Sequence, residues 1–416
     1  MEFNFFTLIF LIAALSYVIT LLWLNWRQDK AVIASYEAVP EEFAAKITLE
    51  QHQKAANYTQ AKLLVNHFEV IFSTIVLLVW TLGGGLNWLD SFWQTQFNNG
   101  LYVGVGFIIS LMLIGVVIDL PFSIYRTFVL EQRFGFNKMD GSTFVADLFK
   151  ELLLTLVIAL PLLYAILYLM EIMGTYWWLY VWLLISGFSL LMFWAYPSFI
   201  APLFNKFKPL ENQTLKDKIN DLLTRTGFKS DGVFVMNGSK RSSHGNAYFT
   251  GMGKNKRIVF FDTLLEGMED QEVEAILAHE LGHFHHKHIR KHMLSSFAIS
   301  LAALALLGYL INQTWFFNGL GVETPSDHTA LVLFALTLPV FSFFISPISN
   351  YLSRKHEFEA DAFAAKHTQA DDLISSLVKL YRDNAATLTP DPLYSAFHDS
   401  HPSASIRINH LRSSGA

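Results

Sequence analysis

A mainly α-helical integral membrane protein carrying a small polar α+β domain is predicted by three observations. Of the 416 residues, 52% are hydrophobic and only 16% are charged, with a mean hydropathy of +0.34. Soluble domains carry about 25% charged residues. Seven apolar runs are long enough to cross about 30 Å of hydrocarbon. Between and after them lie two polar stretches, 204–290 and 351–416. The 37 Phe and 10 Trp suit lipid-facing surfaces and interfacial belts. The absence of Cys excludes disulfides, thiolate metal sites and a cysteine nucleophile, so any metal must use His, Asp or Glu. A net charge of -5 gives no reason to expect a nucleic-acid partner.

The first run, Phe3–Leu24, carries no charge and follows an acidic Met1-Glu2 start. A cleaved signal peptide has a basic start, a shorter apolar core and small residues at its end, so this run is expected to stay as the first span. Residues 27–65 are polar and partly helical in pattern. Spans two and three are expected at about 68–89 and 101–125. The loop after the third carries Arg126, Arg133 and Lys138 around Phe134-Gly135-Phe136-Asn137. Spans four and five are expected at about 149–170 and 176–199, the fifth rich in Trp and Tyr at its start. Spans six and seven are expected at 293–312 and 329–350. The chain thus divides into a membrane part (1–203), a first catalytic part (204–292), a membrane hairpin (293–350) and a second catalytic part (351–416). Glu69 and Asp119 fall inside spans two and three. Acids at that depth face a polar interior or lie near the interface.

In the first polar part, 232–236, 246–250 and 257–261 alternate as short strands do and suggest a small sheet. A helical run, Glu272 to Ala278, then leads into His279-Glu280-Leu281-Gly282-His283. On a helix, residues i and i+4 share a face, so both imidazoles can grip one Zn²⁺. Glu280 can reach a water at that ion and act as general base. His285, His286, His288 and His292 follow closely. They can mark a second metal, but a polar helix end facing water, favoured by the helix dipole, is the preferred reading.

A third ligand must come from elsewhere. Glu357 and Asp361 share a face of the helical run His356 to Ala364. Glu357 is assigned to zinc and Asp361 to the hydrogen bond that fixes a ligand imidazole. Glu359 points about 160° away from Asp361 and is expected to take no part. His356 is a weaker rival ligand on another side. The solvated-surface alternative for these acids competes with all of this. Ser242 to Phe249 can supply an edge strand on which Asn246 and Ala247 hold an extended peptide, or an ordinary turn. His401 and Arg407 can offer donors to an oxyanion, although spacing alone does not decide it.

Several long stretches in order extend this pattern: Tyr196 to Phe207, Gly238 to Phe249, Lys256 to Leu265, Ala278 to His283 and Glu357 to Asp361. Through them the chain resembles the type I CAAX prenyl proteases, membrane-integrated zinc metallopeptidases with seven spans. The resemblance implies a gluzincin-type catalytic domain and one zinc ion held by His279, His283 and Glu357. It implies Glu280 as base, Asn246 and Ala247 as the substrate-binding edge, and His401 and Arg407 as residues that steady the intermediate. It further implies a large water-filled chamber enclosed by the seven helices. Eukaryotic members remove the last three residues of prenylated proteins. This chain looks like a bacterial homologue, for which proteolysis or quality control of membrane-associated, possibly lipidated, peptides is the expected work. A non-enzymatic membrane scaffold stabilised by zinc is the alternative. Such a site is normally closed by four protein ligands.

Lys and Arg in short loops set orientation. They follow the first span (Arg27, Lys30, Lys46, Lys54, Lys62), the third (Arg126, Arg133, Lys138), the fifth (Lys206, Lys208) and the seventh (Arg354, Lys355). The loops at 90–100, near Glu171 and at 313–328 have none. The alternation predicts an external N-terminus and cytosolic catalytic parts, in a bacterial inner membrane or, for a eukaryotic chain, the ER membrane.

Overall fold

The computed structural model describes residues 3–230, 232–250 and 257–414. Among the described residues, seven helices are long and apolar enough to cross a membrane. The first four are α1 (Phe5–Ala34), α2 (Leu49–Trp80), α4 (Gly100–Tyr125) and α5 (Gly141–Ile172), with a short α3 (Gly85–Gln96) between α2 and α4. The fifth is α6 (Trp177–Ala195). The sixth is α9 (His288–Leu310), and the seventh joins α10 (Asp327–Ser342) to α11 (Ser346–His367). Helix α4 runs through a π-helical turn at Arg126–Glu131, and α6 through another at Tyr196–Ile200.

Local chemistry sets the helix starts. Asn4 caps α1, Thr48 caps α2 and Ser326 caps α10, each with a reciprocal bond from the residue three positions on. The second helix therefore begins near residue 49, well before the apolar run expected at 68–89, and ends at Trp80. Gly83, Gly84 and Gly85 then turn the chain into α3, which the sequence reading had merged with the span. Gly84 adopts φ 77°, a conformation that suits glycine.

One end of the bundle is built from α3 and the loop before α10. The Asn87 amide donates to the Gly321 carbonyl at 2.7 Å, and the Asn4 amide donates to the Trp315 carbonyl at 2.8 Å. A buried cluster including Phe10, Leu86, Phe107, Phe316, Phe317 and Leu333 fills this end. Within the bundle, Glu69 and Asp119 both line a cavity of about 630 Å³, with Ser73 and Asn66. Glu69 is also ion-paired with Arg126.

The opposite end carries the polar domain. Its sheet has four strands in the order β1 (Phe207–Pro209), β2 (Val233–Met236), β4 (Arg257–Phe261), β3 (Ala247–Thr250). Only β2 and β4 run parallel, and β3 forms an edge. β1 was not foreseen, being three residues long with a Pro. The sheet packs on α7 (Gln213–Thr226) and α8 (Asp270–His285), whose shared core includes Ile219, Leu222, Ile258, Phe260, Ile276 and Leu277. Helix α12 (Ala370–Asp383) and the short α13 (Pro392–His398) and α14 (Ala404–Ser414) complete the domain from the second polar stretch.

Candidate metal centre

Helix α8 starts with a capping box between Glu269 and Glu272. Glu272 is buried and takes a charge-assisted bond from Lys379 on α12 at 2.6 Å. The apolar positions of α8 turn into the core, and His279, Glu280 and His283 emerge on the side facing α11. Gly282 lets the two helices meet. A Cβ at this position would lie 2.8 Å from the Ala360 Cα, too close for any other residue without separating them. The glycine thus sets the distance between the histidines and the acids of α11.

Across that contact, His279 Nε2 and His283 Nε2 lie 3.2 Å apart. The Glu357 carboxylate is 3.4 Å from each. Ligands held at about 2.0–2.1 Å around a tetrahedral zinc are separated by about 3.3–3.4 Å, so this triangle has the right size. Its donor set is one that binds a divalent ion. Glu357 Oε2 is buried and makes no hydrogen bond, as a carboxylate oxygen left for a cation would be. No other group of three or more His, Asp or Glu among the described residues comes close enough to hold an ion. The residues present fit the implied metal.

Asp361 lies one turn beyond Glu357, fully buried, with Oδ1 2.8 Å from His279 Nδ1. It accepts the imidazole N–H and leaves Nε2 free as a ligand. Arg407, from α14, closes the arrangement from behind. Its guanidinium pairs with both Asp361 oxygens, Nε at 2.8 Å, and places a terminal nitrogen 3.6 Å from Glu357. Glu280 sits beside the triangle, half-buried. Burial pushes its carboxyl above the ordinary carboxylate range, opposed by the His279 charge and reinforced by Glu357.

His401 is exposed, with Nε2 3.4 Å from Glu357 on the open side of the triangle. It lines a cavity of about 750 Å³ together with Asn246, Met236, Pro402 and Arg407. Asn246 precedes the edge strand and Ala247 opens it, paired in register with Phe260. The other side of β3 has no strand partner among the described residues. A second cavity of about 600 Å³ shares Tyr381, Ala386 and His401 with the first. It also shares Asn66, Glu69, Arg126 and His398 with the cavity inside the bundle. A chain of spaces therefore runs from His401, beside the metal triangle, into the membrane part.

His356 is turned away from the triangle, stacked on His288 at 4.0 Å and bonded to His292 at 3.2 Å. The histidines after the motif do not all face water. His285 and His292 are exposed, but His288 is buried because the chain reverses at Lys287 and folds it back against α8.

The stretch before the edge strand does more than the sequence reading gave it. Arg241 bonds Asp147 at 2.7 Å and Asn205 at 2.9 Å, and Ser242 bridges to Asn137. His244 stacks on Phe136 at 4.4 Å, and the Asn384 side chain accepts the Gly245 N–H at 3.1 Å. The contacts to Phe136, Asn137 and Asp147 fasten the catalytic part onto α5 and the loop before it. Asp147 and Asn384 were missed because their partners lie far off in sequence and leave no spacing signal.

Comparison with known proteins bears on the same residues. A family model described as the CAAX prenyl protease N-terminal region, five membrane helices, matches residues 28–206. A model of peptidase family M48 matches residues 209–414. The chain is 37% identical to the CAAX prenyl protease 1 homolog of Arabidopsis thaliana, over 91% of this chain and 91% of that protein. It is 32% identical to the CAAX prenyl protease 1 homolog of Homo sapiens, over 93% of this chain and 91% of that protein. The crystal structure of S. mikatae Ste24p superposes with a TM-score of 0.89 at 31% identity, covering 99% of this chain and 100% of that one.

Proposed function

This chain belongs to peptidase family M48 and is a multi-pass membrane metallopeptidase, and on that premise we propose that it is a zinc endopeptidase. The observation that carries the choice of site is the triangle of His279, His283 and Glu357, with His401 beside it lining the same cavity as Asn246. Zinc, when bound there, polarises a scissile carbonyl and acidifies a water. The chain's own residues do the rest. Edge strand β3, from Asn246 and Ala247, holds an extended peptide by main-chain hydrogen bonds. Glu280 takes a proton from the attacking water as its oxygen bonds to the carbonyl carbon, then delivers that proton to the leaving amine nitrogen. His401 stands on the open side and donates to the developing oxyanion. Three protein ligands and an intact Glu280 favour this over a zinc-stabilised scaffold.

The relatives' names point to prenylated C-terminal sequences as one substrate class. The cavities that run into the bundle suit a peptide with a lipid or hydrophobic segment. Mass spectrometry of a farnesylated CAAX peptide and an unmodified hydrophobic peptide, each incubated with the purified protein, tests this. Loss of a C-terminal tripeptide from the first alone supports the prenyl reading. Internal cuts in both support general membrane-peptide proteolysis, and no cleavage of either with metal bound returns the scaffold.

The geometry separates the two C-terminal residues. His401→Ala should lower turnover with metal content unchanged. Arg407→Ala should also lose metal and stability, because it leaves Asp361 buried without its cation. Removing one partner of a buried pair costs about 3–5 kcal/mol. Metal analysis and thermal unfolding in detergent check the split. Equal metal loss in both variants would refute the oxyanion role of His401.

We further place the catalytic domain in the cytosol and the N-terminus outside, which is the periplasm if the host membrane is a bacterial inner membrane. The bundle end formed by Asn4, α3 and 313–326 carries no Lys or Arg, while Lys206, Lys208, Arg354 and Lys355 lie toward the other. A reporter fused after the C-terminus should work only as a cytosolic one, and a reporter inserted near Asn318 only as an external one. The reverse at either site overturns the orientation.

A further inference from the structure

We propose that His288 and Glu359 are positioning residues that set the tautomer and orientation of the ligand His283, an inference resting on the metal site proposed above. Three contacts form an unbroken line. His283 turns Nε2 toward Glu357 and Nδ1 toward His288, with the two Nδ1 atoms 3.0 Å apart. His288 Nε2 then lies 2.9 Å from Glu359 Oε2. Each imidazole can donate from only one nitrogen when neutral. A carboxylate only accepts, so His288 must carry its proton on Nε2. Its Nδ1 is then a bare acceptor, and His283 must donate from Nδ1. That leaves the His283 Nε2 lone pair aimed at the triangle. Glu359 thereby fixes the ligand form of His283 through His288, as Asp361 fixes that of His279 directly.

The backbone is arranged to make this line. On a continuous helix His288 would point about 140° away from His283. Lys287 instead takes the left-handed conformation, φ 57°, between α8 and α9. A non-glycine residue there costs about 1–2 kcal/mol. The reversal brings His288 back beside His283, where it is 2% exposed and sandwiched by the ring of His356. Lys291 Nζ lies 3.8 Å from the same Glu359 oxygen on the solvent side of the line. The reading replaces the sequence expectation that Glu359 takes no part. It also uses the histidine cluster without a second ion.

The test is release of zinc from the full-length protein in detergent, followed with a chromophoric chelator. His288→Leu keeps the buried volume but breaks the line, and release should be about 10- to 100-fold faster. Glu359→Gln should also speed release. The double variant should be no faster than His288→Leu alone, since both act through one line. His288→Gln, whose side-chain oxygen can accept from His283, should recover part of the loss, and exposed His292→Ala should change nothing. Unfolding of the metal-free proteins controls for packing. If His288→Leu folds poorly, Glu359→Gln at unchanged metal-free Tm carries the test. Release at the wild-type rate in these variants, or effects of the two that multiply, overturns the inference. A wild-type protein that holds no stoichiometric zinc instead overturns the metal site beneath it.

Discussion

Glu280→Gln should retain zinc at the wild-type level and lose hydrolysis by about 10²- to 10⁴-fold, the range that a positioned general base contributes. The substitution keeps the size of the side chain and its place on α8, between two ligands that it does not hold. What it removes is the acceptor for the water's proton. A glutamine oxygen is far too weak a base, and no other carboxylate on the open side can replace it. Glu357 is committed to the triangle, and Asp361 is buried behind His279 against Arg407. Burial already raises the affinity of Glu280 for a proton, which suits a group that must take one and give it up again. Peptide cleavage and bound metal should be measured on the same sample. Turnover within tenfold of wild type in the metal-loaded variant sinks the assignment. A variant that loses its metal would instead move Glu280 into the ligand set.

The parts of this protein that the sequence made legible are those that depend on local repetition. Seven apolar runs became seven long helices because hydrocarbon leaves the backbone no other way to satisfy its polar groups. His279 and His283 share a face because four residues make about one turn. The same rule placed Glu357 and Asp361 together, and the pairing of the two helices followed from the expectation that they share one metal. The helix ends were less legible. The start of α2 is set by the Thr48–Gln51 capping box, about 20 residues before the apolar stretch begins, so hydropathy placed the span too late. Least legible were contacts made by folding over distance. Arg241 and Asp147 are 94 residues apart, and His288 and Glu359 are 71 apart. Neither pair has a periodic signal. His288 was further disguised because helical geometry points it away from His283, and only the left-handed turn at Lys287 reverses that.

Glu357→Ala should strip the metal and abolish activity while leaving the metal-free fold close to wild type in stability. The two halves of this expectation come from different atoms. Two histidines alone leave zinc with too few ligands. Affinity should therefore fall by more than the roughly 10- to 100-fold that loss of an outer hydrogen-bond partner costs. The metal-free protein, however, gains little from Glu357. Its Oε2 is buried without a hydrogen bond, and its attraction to the imidazoles at 3.4 Å and to Arg407 at 3.6 Å mainly offsets the cost of burying the charge. Removing it does not orphan Arg407, whose guanidinium remains paired with both oxygens of Asp361. Asp361→Ala should behave in the opposite way. It leaves Arg407 buried and uncompensated and so costs about 3–5 kcal/mol even without metal. The measurement is thermal unfolding in detergent, with and without chelator, beside metal analysis. Wild-type Tm should fall toward that of Glu357→Ala when chelator is added, and Glu357→Ala itself should not respond. Stoichiometric zinc in Glu357→Ala would show that the third ligand lies elsewhere. A large drop in its metal-free Tm would show that Glu357 holds the two helices together rather than waiting between them for a cation.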